Sequence, residues 1–214
     1  MRPAKTTAAH KTDRLGELVC SNSLKSDFAG TASHLLKEEL RHLGSLLLAV
    51  AEETRIPAGH ALAVDREQFS SILTRKVTSE PFIEVVREEV DTLPSEGIAI
   101  VATGPLTSWA LSQSIAHFMG SQHLYFYDSI SPIVDAATID TSRLFLASRY
   151  GKGGEDYLNA ALSEQEYLAF YEALIHAESV PLHEFEKALY FEGCLPLEEL
   201  ARRGVDTLRF GPMK

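Results

Sequence analysis

The sequence predicts an α/β fold, and three observations predict it. Leucines recur at helical spacing over about 31–54. Ile98-Ala99-Ile100-Val101-Ala102 is a short run apolar on both faces, and it leads straight into Thr103-Gly104-Pro105 and a capped helix. Beyond Tyr125 the texture changes to clustered aromatics, a glycine-rich loop and further amphipathic helices. A strand apolar on both faces belongs inside a parallel sheet covered by helices. The strand–glycine–helix step is the one used by doubly wound folds, whose ligands sit at the carboxyl ends of the strands. A second, helical α+β region follows, with the boundary placed near residue 128.

Along the chain, residues 1–30 read as loop, rich in Thr, Ser, Ala and Lys, with an apolar knot at Leu15, Leu18 and Val19. A helix over about 31–54 puts Leu35, Leu36, Leu40, Leu43, Leu46, Leu47 and Val50 on one face, and Pro57 and Gly59 stop it. A second helix, about 65–78, starts at the N-cap Asp65 and carries Phe69, Ile72, Leu73 and Val77. Short β-type runs are expected at 82–86 and 90–93, then the strand at 98–102. Thr107 or Ser108 caps a helix to about Met119. Tyr125, Phe126 and Tyr127 precede Pro132, and the loop Arg149-Tyr150-Gly151-Lys152-Gly153-Gly154 follows. The next helix, about 163–177, shows Tyr167, Phe170, Tyr171 and Leu174 on its apolar face. Pro181 breaks it, a short helix is expected after that, and Gly193-Cys194-Leu195-Pro196 leads into a last one at about 197–203.

The 214 residues suffice for one large domain, or one domain and part of a second. Hydrophobic residues at 45% with 23% charged residues predict a soluble protein with a true core. No apolar run nears the roughly 20 residues a membrane span needs, and Met1-Arg2-Pro3-Ala4-Lys5 lacks a secretory signal. The predicted address is cytoplasmic. Thirty acidic against 20 basic residues give −10, so nucleic acid would have to be met by a local patch and not by bulk charge. The cluster Arg202, Arg203, Arg209 and Lys214 is the one basic patch of note, and such a cluster is more often dipole compensation and solubility than an RNA site.

Most motif candidates fail on spacing. The Gly151–Gly154 run is neither a P-loop nor a dinucleotide fingerprint and reads as a turn. The eight histidines make no metal motif, and no nucleophile elbow is present. The two cysteines have neither disulfide nor metal spacing. Cys20 lies where an apolar segment turns polar, Glu17-Leu18-Val19-Cys20-Ser21-Asn22-Ser23-Leu24-Lys25-Ser26. Hydroxyl and amide groups there could donate to a thiolate or a flat heterocycle. Cys194 precedes a helix start, which stabilises negative charge and lowers a thiol's pKa. Taken alone, either cysteine is more often an inert buried hydrophobe than a reactive group.

The same stretches carry a resemblance. Met1-Arg2-Pro3 through His10-Lys11-Thr12, the Glu17–Ser26 run, Arg55-Ile56-Pro57-Ala58-Gly59 and Ala63-Val64-Asp65-Arg66 resemble the folate/FAD-dependent tRNA uracil-C5 methyltransferase family, TrmFO, related to glucose-inhibited division protein A. So do Ala102–Ser108, Tyr125–Asp128, Arg149–Gly154, Tyr190–Pro196 and Arg209–Lys214, in the family's order over essentially the whole chain. Two departures stand out. The family's opening strand and glycine-rich pyrophosphate turn do not precede Met1, and the family continues past Lys214. The chain therefore reads as an internal fragment.

The resemblance implies a partial FAD/NAD(P)-binding Rossmann-like domain over 1–128, lacking its G-x-G-x-x-G unit, and part of a helical α+β inserted domain over 129–214. It implies transfer of a one-carbon unit from 5,10-methylenetetrahydrofolate to C5 of a T-loop uridine in tRNA, with FAD as carrier and NAD(P)H as reductant. Cys20 is the implied nucleophile at uracil C6, and Cys194 the second reactive group, a base at C5 or a partner thiol. Asn22 and Ser23 would position flavin or uracil, while Arg2, Ala102, Thr103 and Gly104 would line the flavin's adenosine side. Two alternatives stay open: a related flavoprotein acting on ribosomal RNA or on the tRNA wobble uridine, and a chain that folds without flavin or turnover.

Overall fold

The computed structural model describes residues 6, 10–19, 21–104, 107–120, 134–148, 151, 154–178 and 196–213. The chain divides into two compact units that interleave along it. One comprises Met1–Glu88 with Ile130–Ala160, the other Glu89–Ser129 with Ala161–Lys214. Both sheets of the described residues are antiparallel: a three-stranded one in the order β1-β3-β2 and a two-stranded hairpin, β4-β5.

In the first unit, β1 (Ser23–Ser26) and β2 (Arg55–Ile56) flank β3 (Ala61–Val64). Their register pairs Ser23 with Ala63, Ser26 with Ala61, Arg55 with Val64 and Ile56 with Ala63. The unbroken 31–54 helix is not what forms. Gly44 takes a left-handed φ of 70° and splits it into α1 (Ala32–His42) and α2 (Leu46–Glu53). Each half has its own cap, Thr31 accepting from the His34 amide and Ser45 from the Leu48 amide. The break re-aims the leucines. Leu48, Val50 and Ala51 enter the core, whereas Leu35, Leu36 and Leu43 remain exposed.

α3 (Arg66–Thr78) forms as expected, with Asp65 capping the Gln68 amide and Phe69 and Leu73 buried. Leu48, Val50, Leu62, Val64, Phe69 and Leu73 pack as one cluster, and Leu18, Leu24, Leu40, Ile72 and Val77 close over it. β4 (Leu144–Ala147) and β5 (Tyr157–Ala160) pair residue for residue, from Leu144 with Ala160 to Ala147 with Tyr157.

The second unit holds α4 (Trp109–Met119), α5 (Glu164–Ile175) and α6 (Leu197–Arg202). Ser108 caps α4, and Gly120 ends it at a φ of 63°. Ser163 and Glu166 form a reciprocal capping box on α5. Tyr167, Ala201 and Leu208 make the core here, and the Tyr167 hydroxyl donates to the Val205 carbonyl.

The strands expected at 82–86, 90–93 and 98–102 do not form. Residues 98–102 carry no strand pairing, with Ile98 at 101% and Ile100 at 89% of full exposure. A doubly wound strand is buried by neighbours on both edges and helices on both faces, and no described segment supplies them. The short helix expected after Pro181 and the aromatic run 125–127 lie outside the described residues. No helix among the described residues is long and apolar enough to cross a membrane.

Candidate functional site

Cys20, Cys194 and Arg2 lie outside the described residues, but both flanks of position 20 are well defined. Upstream, the Glu17 carboxylate folds the chain back by accepting from the Lys11 amide at 2.9 Å and from the Thr12 amide and hydroxyl at 3.2 and 3.0 Å. The Leu15 amide donates to Thr74 Oγ1 at 2.8 Å, which pins this segment onto α3. Gly16 sits flush on the same helix. A Cβ there would lie 2.3 Å from Leu73 Cδ2, and its φ of 66° is a left-handed value as well. Leu18 then packs, partly buried, against the core.

Downstream, Asn22 stitches the chain to the end of β3. Its Nδ2 donates to the Val64 carbonyl at 3.1 Å, and its own carbonyl accepts from the Val64 amide at 3.0 Å. That amide is therefore committed to the sheet. Ser23, Ser26 and their neighbours form successive side-chain turns, with Ser23 Oγ accepting from the Lys25 amide at 3.2 Å and Ser26 Oγ from the Phe28 amide at 3.2 Å. The register slips between Ser23 and Ser26, and Lys25 takes a φ of 65°, the one non-glycine residue with positive φ among those described. Such a bulge re-aims a side chain at the expense of local strain.

The bulge borders an open cleft of about 480 Å³, lined by Ser23, Lys25, Ser26, Phe28, Thr31, Ala58, His60, Ala61 and Tyr157. The Phe28 and His60 rings stack with centroids 4.2 Å apart and planes 10° from parallel. The Asp27 amide donates to the His60 carbonyl at 2.7 Å and fixes the two segments side by side. Tyr157 joins them because its hydroxyl donates to the Ala58 carbonyl at 3.1 Å, while the neighbouring Asp156 carboxylate accepts from the Gly59 amide at 2.5 Å. Phe28, His60 and Tyr157 carried no sequence signal, since stacking and hydrogen bonds bring them together from distant positions.

Charge is arranged behind this cleft. Lys37 is only 5% exposed and its ammonium donates to the Ser26 and Ser33 carbonyls at 2.9 and 3.1 Å. Burial lowers its pKa from the ordinary lysine value, and the Asp27 charge opposes that shift. Asp27 accepts from Arg41 at 2.8 Å and meets His34 at 3.3 Å and Arg55 at 3.6 Å. Burial pushes its carboxyl up, but the Arg41 and His34 hydrogen bonds and the arginine charges outweigh burial and hold it below the usual range. Arg41 also reaches Glu38 and Glu52, each at 2.5 Å, and its pKa is raised chiefly by the Asp27 and Glu52 hydrogen bonds.

The remaining predicted flavin contacts belong to the second unit. Ala102, Thr103 and Gly104 lie on an exposed segment with no sheet edge to present. Thr103 Oγ1 is within 2.7 Å of Thr107 Oγ1, and Thr107 Oγ1 donates to the Gly104 carbonyl at 2.7 Å. A Cβ on Gly104 would meet nothing within 4 Å, so the backbone forms no tight cradle. As described, residues 102–104 do not fit the adenosine side of a flavin. Among the described residues no group of three His, Cys, Asp or Glu side chains is placed to hold a metal ion.

Known proteins give the context for these contacts. A TrmFO from Koribacter versatilis, named a methylenetetrahydrofolate–tRNA-(uracil-5-)-methyltransferase, is 58% identical over the whole chain, which covers 48% of its length. TrmFO proteins of the same name from Sulfurihydrogenibium sp. and Moorella thermoacetica are 56% and 55% identical, again over the whole chain and 49% of their own lengths. The chain thus spans about half the length of the curated relatives it matches. The family described as glucose inhibited division protein A matches residues 4–214, and the chain belongs to that family.

Proposed function

We propose that a polypeptide of the relatives' length containing this chain methylates uracil C5 in tRNA, using 5,10-methylenetetrahydrofolate with FAD and NAD(P)H. The observation that carries this reading is 54–58% identity over the full chain to proteins bearing that activity in their name. The target is the T-loop uridine, and the setting is the cytoplasm. In this reading residues 1–128 contribute to the flavin domain and 129–214 to the inserted domain.

The chemistry calls for thiols. Uracil C5 is a poor nucleophile until a group adds at C6 and moves the ring's electron pair towards O4 as an enolate. The Cys20 thiolate performs that addition, which divides one hard step into easier ones. Once C5 carries its new carbon, Cys194 serves as the base that removes the C5 proton or as a partner thiol. The C6–S bond then breaks and the thiolate returns, and the hydride equivalent that takes the methylene-level carbon to methyl would come from NAD(P)H by way of the flavin. Asn22 supports this role by holding the segment beyond Cys20 against β3, and Gly16 by holding the segment before it against α3. A uridine folded into the tRNA elbow must first be flipped out, at a cost of a few kcal/mol.

A second reading concerns the 214 residues by themselves, and the exposure of 98–102 favours it: the isolated chain folds without flavin and without turnover. One preparation separates the two. Purified chain is scanned for flavin absorbance and assayed for transfer of labelled carbon from methylenetetrahydrofolate to tRNA. Flavin that stays bound in Cys20→Ser while the C5 label vanishes supports catalysis by this chain. A colourless, inactive chain supports the second reading. A relative-length polypeptide that binds flavin yet transfers no label to uracil C5 would sink the first.

A further inference from the structure

We propose that the cleft beside Lys25 receives a single unstacked nucleotide of an RNA, its base against the Phe28–His60 stack and its phosphate on the Lys25 ammonium. This deepens the RNA-substrate part of the proposed function and rests on it. Four observations converge. The paired rings are parallel within 10°, and Phe28 remains 52% exposed, so a flat aromatic surface is open to solvent. Stacking on such a surface is a sequence-tolerant way to hold an extruded base. Lys25 Nζ has no hydrogen-bond or ion-pair partner among the described residues. Its backbone is held at a φ of 65°, an unfavourable value for a lysine that has to be maintained by its surroundings.

The lining, moreover, contains no carboxylate, although the chain has 30 acidic residues. Behind the cleft, the buried Lys37 ammonium donates to the carbonyl of cleft-lining Ser26 and fixes that wall, its charge balanced by Asp27. A cation, flanking hydroxyls and a π surface within about 480 Å³ match one heterocycle carrying one phosphate. A free nucleotide cofactor offers the same chemistry. The open mouth favours a nucleotide tethered in a longer strand, because small-ligand sites enclose 70–90% or so of their ligand.

The test uses the full chain and a short fluorescent oligouridylate, with affinity followed by anisotropy across a salt series. Lys25→Gln is expected to flatten the slope of log K against log salt by about 0.7, the value of one single-strand phosphate contact. Phe28→Leu is expected to weaken binding about tenfold, as loss of one stacked base does. A 5-iodouridine version of the RNA, irradiated on the unaltered chain, is expected to cross-link to peptides containing Phe28, His60 or Tyr157, and this needs no variant to fold. An unchanged salt slope in Lys25→Gln, cross-links confined to other peptides, or no RNA binding at all would each overturn the proposal. Competition by FAD at one equivalent would give the cleft to a free nucleotide and overturn it too. Methyl transfer by a relative-length polypeptide that is indifferent to Lys25→Gln and Phe28→Leu would sink the cleft assignment and leave the proposed reaction standing.

Discussion

Ala61-Leu62-Ala63-Val64 and Ile98-Ala99-Ile100-Val101 are alike on paper, each an apolar run suited to a buried strand. In the structure Leu62 and Val64 are fully buried, while Ile98 and Ile100 are almost fully exposed. The first run has hydrogen-bonding partners on both edges, β2 just across a turn and β1 from earlier in the chain, and Leu62 and Val64 share one buried cluster with residues of α2 and α3. The second has none among the described residues. Hydrophobicity states what a segment can do, and the supply of edges and covering faces decides whether it does so. Burying a large aliphatic side chain is worth about 1.5–3 kcal/mol, but only where something covers it.

The contrast breaks most visibly by truncation. Phe69→Ala, in the cluster around β3, is expected to cost about 3–5 kcal/mol through lost burial and a residual cavity. Ile100→Ala is expected to change stability by no more than about 0.5 kcal/mol, as exposed substitutions do. Urea denaturation of both variants measures the difference. Comparable losses would mean that 98–101 is covered in solution, and the contrast would fail. Gly16→Ala tests the packed side at another point. The added methyl meets Leu73 and the left-handed backbone penalises any side chain, so about 1–3 kcal/mol should be lost.

What the sequence made legible follows the same division. α3 and α4 are legible from the caps Asp65 and Ser108, and α5 from the spacing of Tyr167, Phe170, Tyr171 and Leu174, local signals that need no distant partner. β1 and β2 are not, since Arg55–Ile56 is too short to show alternation and Ser23–Ser26 is polar and bulged. The break at Gly44 was hidden by leucines that continue in helical phase across it. At the candidate site, the local hydrogen bonding of Asn22 and Ser23 follows from a polar run beside Cys20, and their positioning of flavin or uracil stays a proposal. His60 and Tyr157 could not be read from the sequence, because only the turn after β2 and the start of β5 bring them to Phe28.

Electrostatics sharpen the comparison at intermediate size. The packed unit carries the low-exposure carboxylate Asp27, and the exposed 98–104 segment has no charged residue. Asp27→Asn is expected to cost about 2 kcal/mol near neutral pH, the scale of a hydrogen bond to a charged partner. Because the folded-state pKa is depressed, the carboxylate's contribution is fully present above the unfolded value of about 3.9 and is lost as pH falls through the folded value. The difference between wild type and variant should therefore be constant above about pH 5 and shrink below about pH 4. A difference that grows on acidification would mean that Asp27 is not held ionised by Arg41 and His34.

The smallest effect isolates the local signals. Ser163→Ala removes the hydroxyl that accepts from the Glu166 amide and half of a reciprocal box, while leaving the Tyr167 packing on Ala201 and Leu208 untouched. The expected loss is about 1 kcal/mol, with amide exchange quickened first in the opening turn of α5. Ser108→Ala removes the corresponding cap from α4, where the buried face amounts to Leu111 and Ser112. With so little packing to offset it, the same chemical deletion should quicken exchange along the whole of α4 and not its first turn alone. Equal, end-localised effects in both helices would show that α4 is held by more than its cap and the burial of Leu111 and Ser112.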